Sequence, residues 1–315
     1  MAISRIRTRG DLCGVTVLEE TEYGKVPADG TRKYGGIVRT MDDGDSQELG
    51  EMPPECGSRT NTGYFLIGRT CEPSMTLRVQ RGAGLLKDWI VRASGSASGV
   101  ETDIPSSDLL VKVGPSEWHS WTGAKVDTLS VKGSKIGDAV ELDVSFKARH
   151  HAVSTTYEDG TGATFSDADG SGYTLKPEKA VDAAYVTFVK GWRLDGERIP
   201  YQKSWELKIS NALQSEAGPS GDGDGAYALN AGEGSTPQAS SVTLDVTVAS
   251  CGPAWDLRRL SFTEGLTLSV ELDGYTVTLT GCTVDGSGPS RTWEGAYDET
   301  ISFKAQDIRL EKAGS

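Results

Sequence analysis

Apolar and polar residues alternate along much of this chain with the two-residue period of half-buried β-strands. The clearest run holds Val140, Leu142, Val144 and Phe146, each separated by one polar residue. The same period predicts first-half strands at 13–18, 34–39, 63–69, 74–81, 108–113 and 125–132. In the second half it predicts strands at 183–190, 203–210, 241–248, 266–272, 274–281 and 299–305. The pattern therefore predicts a mainly β protein.

Two segments have helical spacing instead. Over 85–93, Leu85, Leu86, Trp89 and Ile90 fall on one side of a helix, and 254–262 has a weaker version of this pattern. Two polar, turn-forming stretches, 40–62 and 212–239, are predicted as loops. Both are longer than loops usual inside a compact domain, so each is either functional or mobile.

Two short phrases occur twice, in the same order. Residues 74–79 (SMTLRV) return as 241–246 (SVTLDV), and 145–148 (SFKA) return as 302–305. A predicted helix follows the first phrase in each half. Repetition of strand, helix and phrase in one order indicates an internal duplication.

The duplication predicts two domains. A connector rich in Gly, Asp and Thr spans 153–172. The sequence therefore predicts a first β domain with an N-terminal arm at 1–155 and a second at 156–315. The predicted fold is two tandem, related β-sandwich or barrel domains, each with one short flanking helix.

Composition narrows the function classes. The 315 residues carry a formal net charge of −13, which argues against a surface that grips nucleic acid. No apolar run approaches the roughly 20 residues needed to span a bilayer. The basic start of the chain has no hydrophobic stretch behind it, so we expect no secretory signal and folding in a cytoplasm.

Neither half of the chain contains a recognisable catalytic cluster, and we predict no enzymatic activity, no catalytic or cofactor-binding residue, and no cofactor. The five cysteines include no Cys-x-x-Cys pair and are interpreted as structural. His119 is predicted to lie in a loop flanked by tryptophans, and His150 and His151 to point to opposite faces of a strand end.

Two patterns in the sequence are compatible with ligand binding. Asp167, Asp169, Ser171 and Glu178 match calcium-loop spacing, but a solvated linker is the favoured interpretation and no metal residue is predicted. The tryptophans could line a sugar-binding face, although packing is the more frequent role in β-domains. They are Trp118, Trp121, Trp192, Trp205 and Trp293.

Five segments give the chain a resemblance to the tail tube proteins of long-tailed bacteriophages, in particular the longer, two-part ones. The segments are 74–93, 127–131, 141–148, 204–213 and 275–305. The fourth of these segments, 204–213, contains a Ser-Trp-x-Leu-x-Ile-x-Asn-x-Leu signature.

The resemblance implies a structural protein that assembles into stacked rings around a β-lined pore. A duplicated chain would close the ring as a trimer that mimics six domains, whereas an insertion at 212–240 in one domain would favour a hexamer. The implied partners are further copies of this chain and tail tip, tape measure and tail terminator proteins. DNA would pass through the lumen without specific binding, and the protein would reside in the virion tail after a period in the host cytoplasm.

Two alternatives stay open. One is another virion β-sandwich protein, such as a decoration or head–tail joining protein. The other is a carbohydrate- or calcium-binding β module.

Overall fold

The computed structural model is mainly β, with one helix in the part of the chain that it describes. It describes residues 14–27, 32–52, 63–79, 84–101, 103–113, 117–134, 138–154, 165–166, 186, 190–213, 216–217, 229–230, 240–249, 265–290 and 298–313. The candidate calcium loop, the domain connector and the predicted helix at 254–262 lie outside these residues, apart from a few residues of the connector. The 183–190 strand lies outside them as well, except for two residues.

The elements of the first half are β1 Gly14–Glu19, β2 Arg32–Asp42, β3 Asp45–Met52, β4 Gly63–Cys71, β5 Ser74–Arg78, α1 Leu85–Ser94, β6 Ser107–Val113, β7 Glu117–Gly133, β8 Glu141–Lys147 and β9 His150–Ser154. Six of them close an antiparallel barrel in the order β1, β2, β5, β8, β7 and β6, because β6 pairs back to β1. A barrel closed in this way leaves each of the six strands with two partners.

The remaining elements are β10 Phe165–Ser166, β11 Arg193–Leu194, β12 Glu197–Arg198, β13 Gln202–Ser210, β14 Glu216–Ala217, β15 Leu229–Asn230, β16 Ser241–Ala249, β17 Leu266–Leu272, β18 Tyr275–Ser290, β19 Asp298–Ala305 and β20 Asp307–Lys312. Most of them extend the barrel sheet through the pairing of β13 with β7, whereas β10 pairs with β2, and β14 and β15 form a separate two-stranded sheet. The sheet then continues through β16, β19, β18, β17 and β11.

The strands of the two halves pair in the same order. In the first half β6, β7, β8, β5 and β2 are successive neighbours, and in the second half β17, β18, β19, β16 and β13 are. A bulge lies between Val126 and Thr128 of β7, and another between Val284 and Gly286 of β18. Strands β8 and β9 pair with successive segments of β7, and β19 and β20 pair with successive segments of β18 in the same way.

The repeated phrases pair with each other in both halves, but in different registers. Ser74 lies opposite Ser145, whereas Ser302 lies opposite Asp245 instead of Ser241. The second pairing is therefore shifted by four residues. Because four is an even number, every side chain keeps its face of the sheet.

A single apolar core cluster includes buried residues from both halves. Helix α1 packs its apolar side against β7, β13 and β2. Trp89 lies edge-on to Phe146 and donates a hydrogen bond of 2.8 Å from Nε1 to the carbonyl oxygen of Gly35. Gly95 ends the helix with φ +88°, and a Cβ there would lie 2.8 Å from the Asp103 carbonyl oxygen.

The structure confirms most predicted strands and the 85–93 helix, and corrects three predictions. The stretch 212–239 is not a continuous loop, because it contains β14 and β15, which pair with each other. The stretch 40–62 is not a continuous loop, because β3 runs through it and pairs with β4. His119 lies in strand β7 and not in a loop. In the described part of the chain no helix is long and apolar enough to cross a bilayer.

Candidate functional site: an assembly surface and a histidine cluster

The joint between the halves is the antiparallel pairing of β7 with β13. Residues 128–133 lie opposite residues 205–210, and Trp205 faces Gly133. The indole covers Gly133 so closely that a Cβ there would lie 2.5 Å from Nε1 of Trp205. A small residue at 133 therefore lets the buried tryptophan close the joint.

Asn211 fastens this joint at its other end. Its fully buried amide donates 2.9 Å hydrogen bonds from Nδ2 to the carbonyl oxygens of Ala93 and Val126. Its Oδ1 accepts a bond of 3.0 Å from Ser240 Oγ. One side chain thus links the end of α1, strand β7 and the start of β16. The Asn of the 204–213 signature can lie in the core because its amide makes hydrogen bonds with all three of these groups.

Among the strand edges without a partner in the described residues, two lie at equivalent places on the long sheet. β2 pairs with β5 over residues 37–42, but on its other edge β1 pairs only as far as Ile37. β18 pairs with β19 over residues 283–290, and the opposite edge of that segment has no described partner. Pro289 lies there, which is typical of an edge strand.

These open edges correspond to the two edges that meet inside the chain. β18 occupies the position in the second half that β7 occupies in the first, and β13 corresponds to β2. The β7–β13 joint thus pairs the long strand of the first half with the strand of the second half that corresponds to β2. The free edge of β18 is equivalent to the edge of β7 in this joint, and the free edge of β2 is equivalent to the edge of β13.

One face of the continuous sheet is polar across six strands, β5, β8, β7, β13, β16 and β19. Buried apolar residues alternate with polar ones on these strands, for example in β8 and β16. Besides Ser and Thr, the polar face carries basic and acidic residues in nearly equal numbers. They include Arg78, Lys132, Lys147, Lys208 and Lys304, and Glu141, Asp143, Glu206, Asp245 and Asp298.

Polar contacts continue across the joint. Lys132 Nζ lies 2.6 Å from Asp143 Oδ2 and 3.7 Å from Glu206 Oε1, and its pKa is raised chiefly by the hydrogen bond with Asp143. Ser130 Oγ donates to Glu206 Oε1 at 2.6 Å. The acidic and basic groups therefore neutralise one another locally, and the face has little net charge.

A second cluster lies where β7, β9 and the β2–β3 turn meet. His119 Nδ1 lies 3.1 Å from His151 Nε2 and 3.3 Å from Asp43 Oδ1. His151 Nδ1 bonds to Asp45. The ring of Trp121 stacks on His151 with centroids 4.8 Å apart. The ligand atoms of Asp43, His119 and His151 all lie within 4.8 Å of one another, a spacing that could hold a metal ion.

Sequence reasoning missed this cluster, although it had separated His150 from His151 correctly. His150 is exposed, while the side chain of His151 is 6% exposed. The cluster forms because β9 pairs with β7 and brings His151 opposite Trp121, two residues from His119. The one available signal was the alternation of His119 with Trp121, which fits a strand better than a loop.

Most of the remaining candidate residues that the structure describes have packing roles, whereas Trp118 in β7 is only partly buried and Trp293 lies outside the described residues. Trp121, Trp192 and Trp205 are buried in the core, so they form no sugar-binding face. Cys282 is buried, and burial raises its pKa to about 11. Burial also raises the pKa of Cys71, whose thiol donates to Asp45. Neither thiol has the lowered pKa of a nucleophile.

Comparison with known proteins gives no assignment: no family model matches this chain, and no curated protein matches it.

Proposed function

We propose that this chain is a structural protein of a phage tail tube, without catalytic activity, whose copies join edge to edge into rings. The observation that carries the proposal is the β7–β13 joint, together with the equivalent edges left open on β18 and β2. Repeating the same type of joint between copies pairs these two edges with each other, and it generates a ring when the rotation between copies closes.

The two halves act in this proposal as two tandem, related tube domains. Their strands pair in one order, and their long strands carry bulges at matching positions. Three copies would contribute six such units. Open strand edges are aggregation-prone unless they are paired or guarded, and ring closure pairs them.

The polar face is proposed to line the pore. It continues through the joint without interruption, so repeated joints would give a continuous polar wall. Its balanced charges would hold DNA only weakly, since binding of phosphates requires an excess of Lys and Arg. The tube could then conduct DNA without retaining it.

The edge of β18 offers a selective test. Strand N–H groups alternate between the two edges, so the N–H of residue 287 points to the same side as position 289. Because Pro289 pairs with β19 without a donor, that side is the open edge. Ser287→Pro should therefore leave the β18–β19 pairing intact and remove one donor from the proposed joint.

The measurement is negative-stain electron microscopy over a concentration series of wild type, Ser287→Pro and the control Ser287→Ala. Rings or hollow tubes are expected for wild type and Ser287→Ala, and a marked loss of them for Ser287→Pro at an unchanged melting temperature. Monomers of wild type at all concentrations, or equal assembly by all three proteins, would count against the proposal.

A further inference from the structure

We propose that Asp43, His119 and His151 bind a divalent transition-metal ion of the zinc type. The proposal is independent of ring assembly, because it rests on three side chains inside one copy of the chain.

The spacing of the ligand atoms fits such an ion. His119 Nδ1 lies 3.1 Å from His151 Nε2 and 3.3 Å from Asp43 Oδ1. Zinc bonds to imidazole nitrogen of about 2.0–2.1 Å in tetrahedral geometry require neighbouring ligand atoms about 3.3 Å apart. The third pair of ligand atoms, on Asp43 and His151, lies within 4.8 Å, so convergence on one ion requires these two side chains to move together by up to about 1.5 Å.

Burial adds a second, separate reason. The side chains of His119 and His151 are 7% and 6% exposed. Oδ1 of Asp43 is buried and accepts no hydrogen bond among the described residues. A buried carboxylate oxygen without a hydrogen bond is costly. A cation between this oxygen and the two ring nitrogens would remove that cost.

The surroundings orient the proposed ligands. His151 presents Nε2 to the cluster and bonds through Nδ1 to Asp45, the arrangement in which a carboxylate fixes the orientation of a metal-binding imidazole. The thiol of Cys71 in turn donates to Asp45. Trp121 holds the plane of His151 by stacking at 4.8 Å. Because the thiol of Cys71 is hydrogen-bonded to Asp45, we assign it to the orientation of Asp45 and not to the set of metal ligands.

The chemistry of the ligands selects the class of ion. Two imidazole nitrogens and one carboxylate favour zinc and its transition-metal neighbours over calcium and magnesium, which prefer oxygen ligands. Three protein ligands leave one coordination position for water or an exogenous group.

The test is calorimetric titration of the untagged full chain with Zn²⁺, with Mg²⁺ as a comparison ion. One Zn²⁺ per chain is expected. Asp43→Asn and His119→Gln should weaken binding at least tenfold, and Asp45→Asn about 10–100-fold, the range for loss of an orienting carboxylate. The matched control is His150→Gln, which changes the exposed histidine next to His151 and should bind as wild type does.

Co²⁺ supplies a readout that depends on the ligands themselves. Its visible absorption bands should appear with wild type and His150→Gln and be lost with His119→Gln. The side chain of Asp43 is 43% exposed, so Asp43→Asn should fold normally. This variant therefore tests the proposal even if a histidine variant fails to fold. Equal Zn²⁺ affinity of wild type and Asp43→Asn, or an equal loss in His150→Gln, would overturn the proposal.

Discussion

Replacement of Asn211 by Ala should destabilise the protein far more than the size of the side chain suggests. The amide donates to the carbonyl oxygens of Ala93 and Val126 at 2.9 Å each. Both residues are buried, so water reaches these oxygens only by entering the vacated space. A buried polar group left without a partner costs about 1–3 kcal/mol. Loss of both bonds should lower the free energy of unfolding by about 2–5 kcal/mol.

Urea denaturation followed by tryptophan fluorescence measures this loss. The matched control is Ser210→Ala, a change on the polar face of β13 one residue earlier, which should stay within about 0.5 kcal/mol of wild type. Asn211→Asp keeps the shape but turns a carboxylate oxygen toward a carbonyl, so its loss should exceed that of Asn211→Ala. A loss below about 1 kcal/mol for Asn211→Ala would refute the claim that this amide fastens the joint.

Three further changes test other parts of the structure. Asp108→Ala removes the acidic partner of the buried Arg32 and should lower the free energy of unfolding in urea by about 3–5 kcal/mol. A loss below about 1 kcal/mol would contradict a buried ion pair. Gly133→Val should displace Trp205, lower the free energy of unfolding by about 1–3 kcal/mol and shift the tryptophan emission to longer wavelength. Unchanged stability and emission would contradict the close contact between residue 133 and Trp205. Burial raises the pKa of Asp88, so its charged form destabilises the fold above that pKa. Asp88→Asn should therefore melt higher than wild type at pH 7, and the difference should vanish below about pH 4, near the unfolded carboxyl pKa; equal melting temperatures from pH 3 to 8 would contradict it.

The strands that could be predicted are those with one apolar face. Alternation located β8, β13 and β16 because Leu142, Leu207, Leu244 and their neighbours all enter one core. The helix was predictable for the same reason, since Trp89 and Ile90 face that core. Burial against a single core imposes the period that the sequence displays.

Strand β3 could not be predicted in this way. It carries few apolar residues, and among the described strands it pairs with β4 alone, in a separate two-stranded ribbon. Backbone pairing alone leaves no hydrophobic period in the sequence. The last residues of β18, Gly286–Ser290, escaped prediction because Gly and Pro are rare in strands.

The histidine cluster could not be predicted from the sequence for another reason. Asp43, His119 and His151 come from three separate elements, and only the pairing of β9 with β7 and the course of the β2–β3 turn bring them together. The repeat, in contrast, could be read from two phrases, although their shift of four residues in register required the structure.

The central claim is that the open edge of β2 meets the open edge of β18 of another copy. The most direct measurement is photo-crosslinking from benzoylphenylalanine at Thr40, an exposed residue on the open part of β2. Unlabelled subunits carrying the probe are mixed with ¹⁵N-labelled wild type, and the adducts are mapped by mass spectrometry. A probe at Tyr201, which is 61% exposed and outside the proposed joint, is the control. The account predicts adducts from Thr40 to residues 283–290 of labelled chains; adducts confined to the same chain, or spread as widely as those from Tyr201, would contradict it.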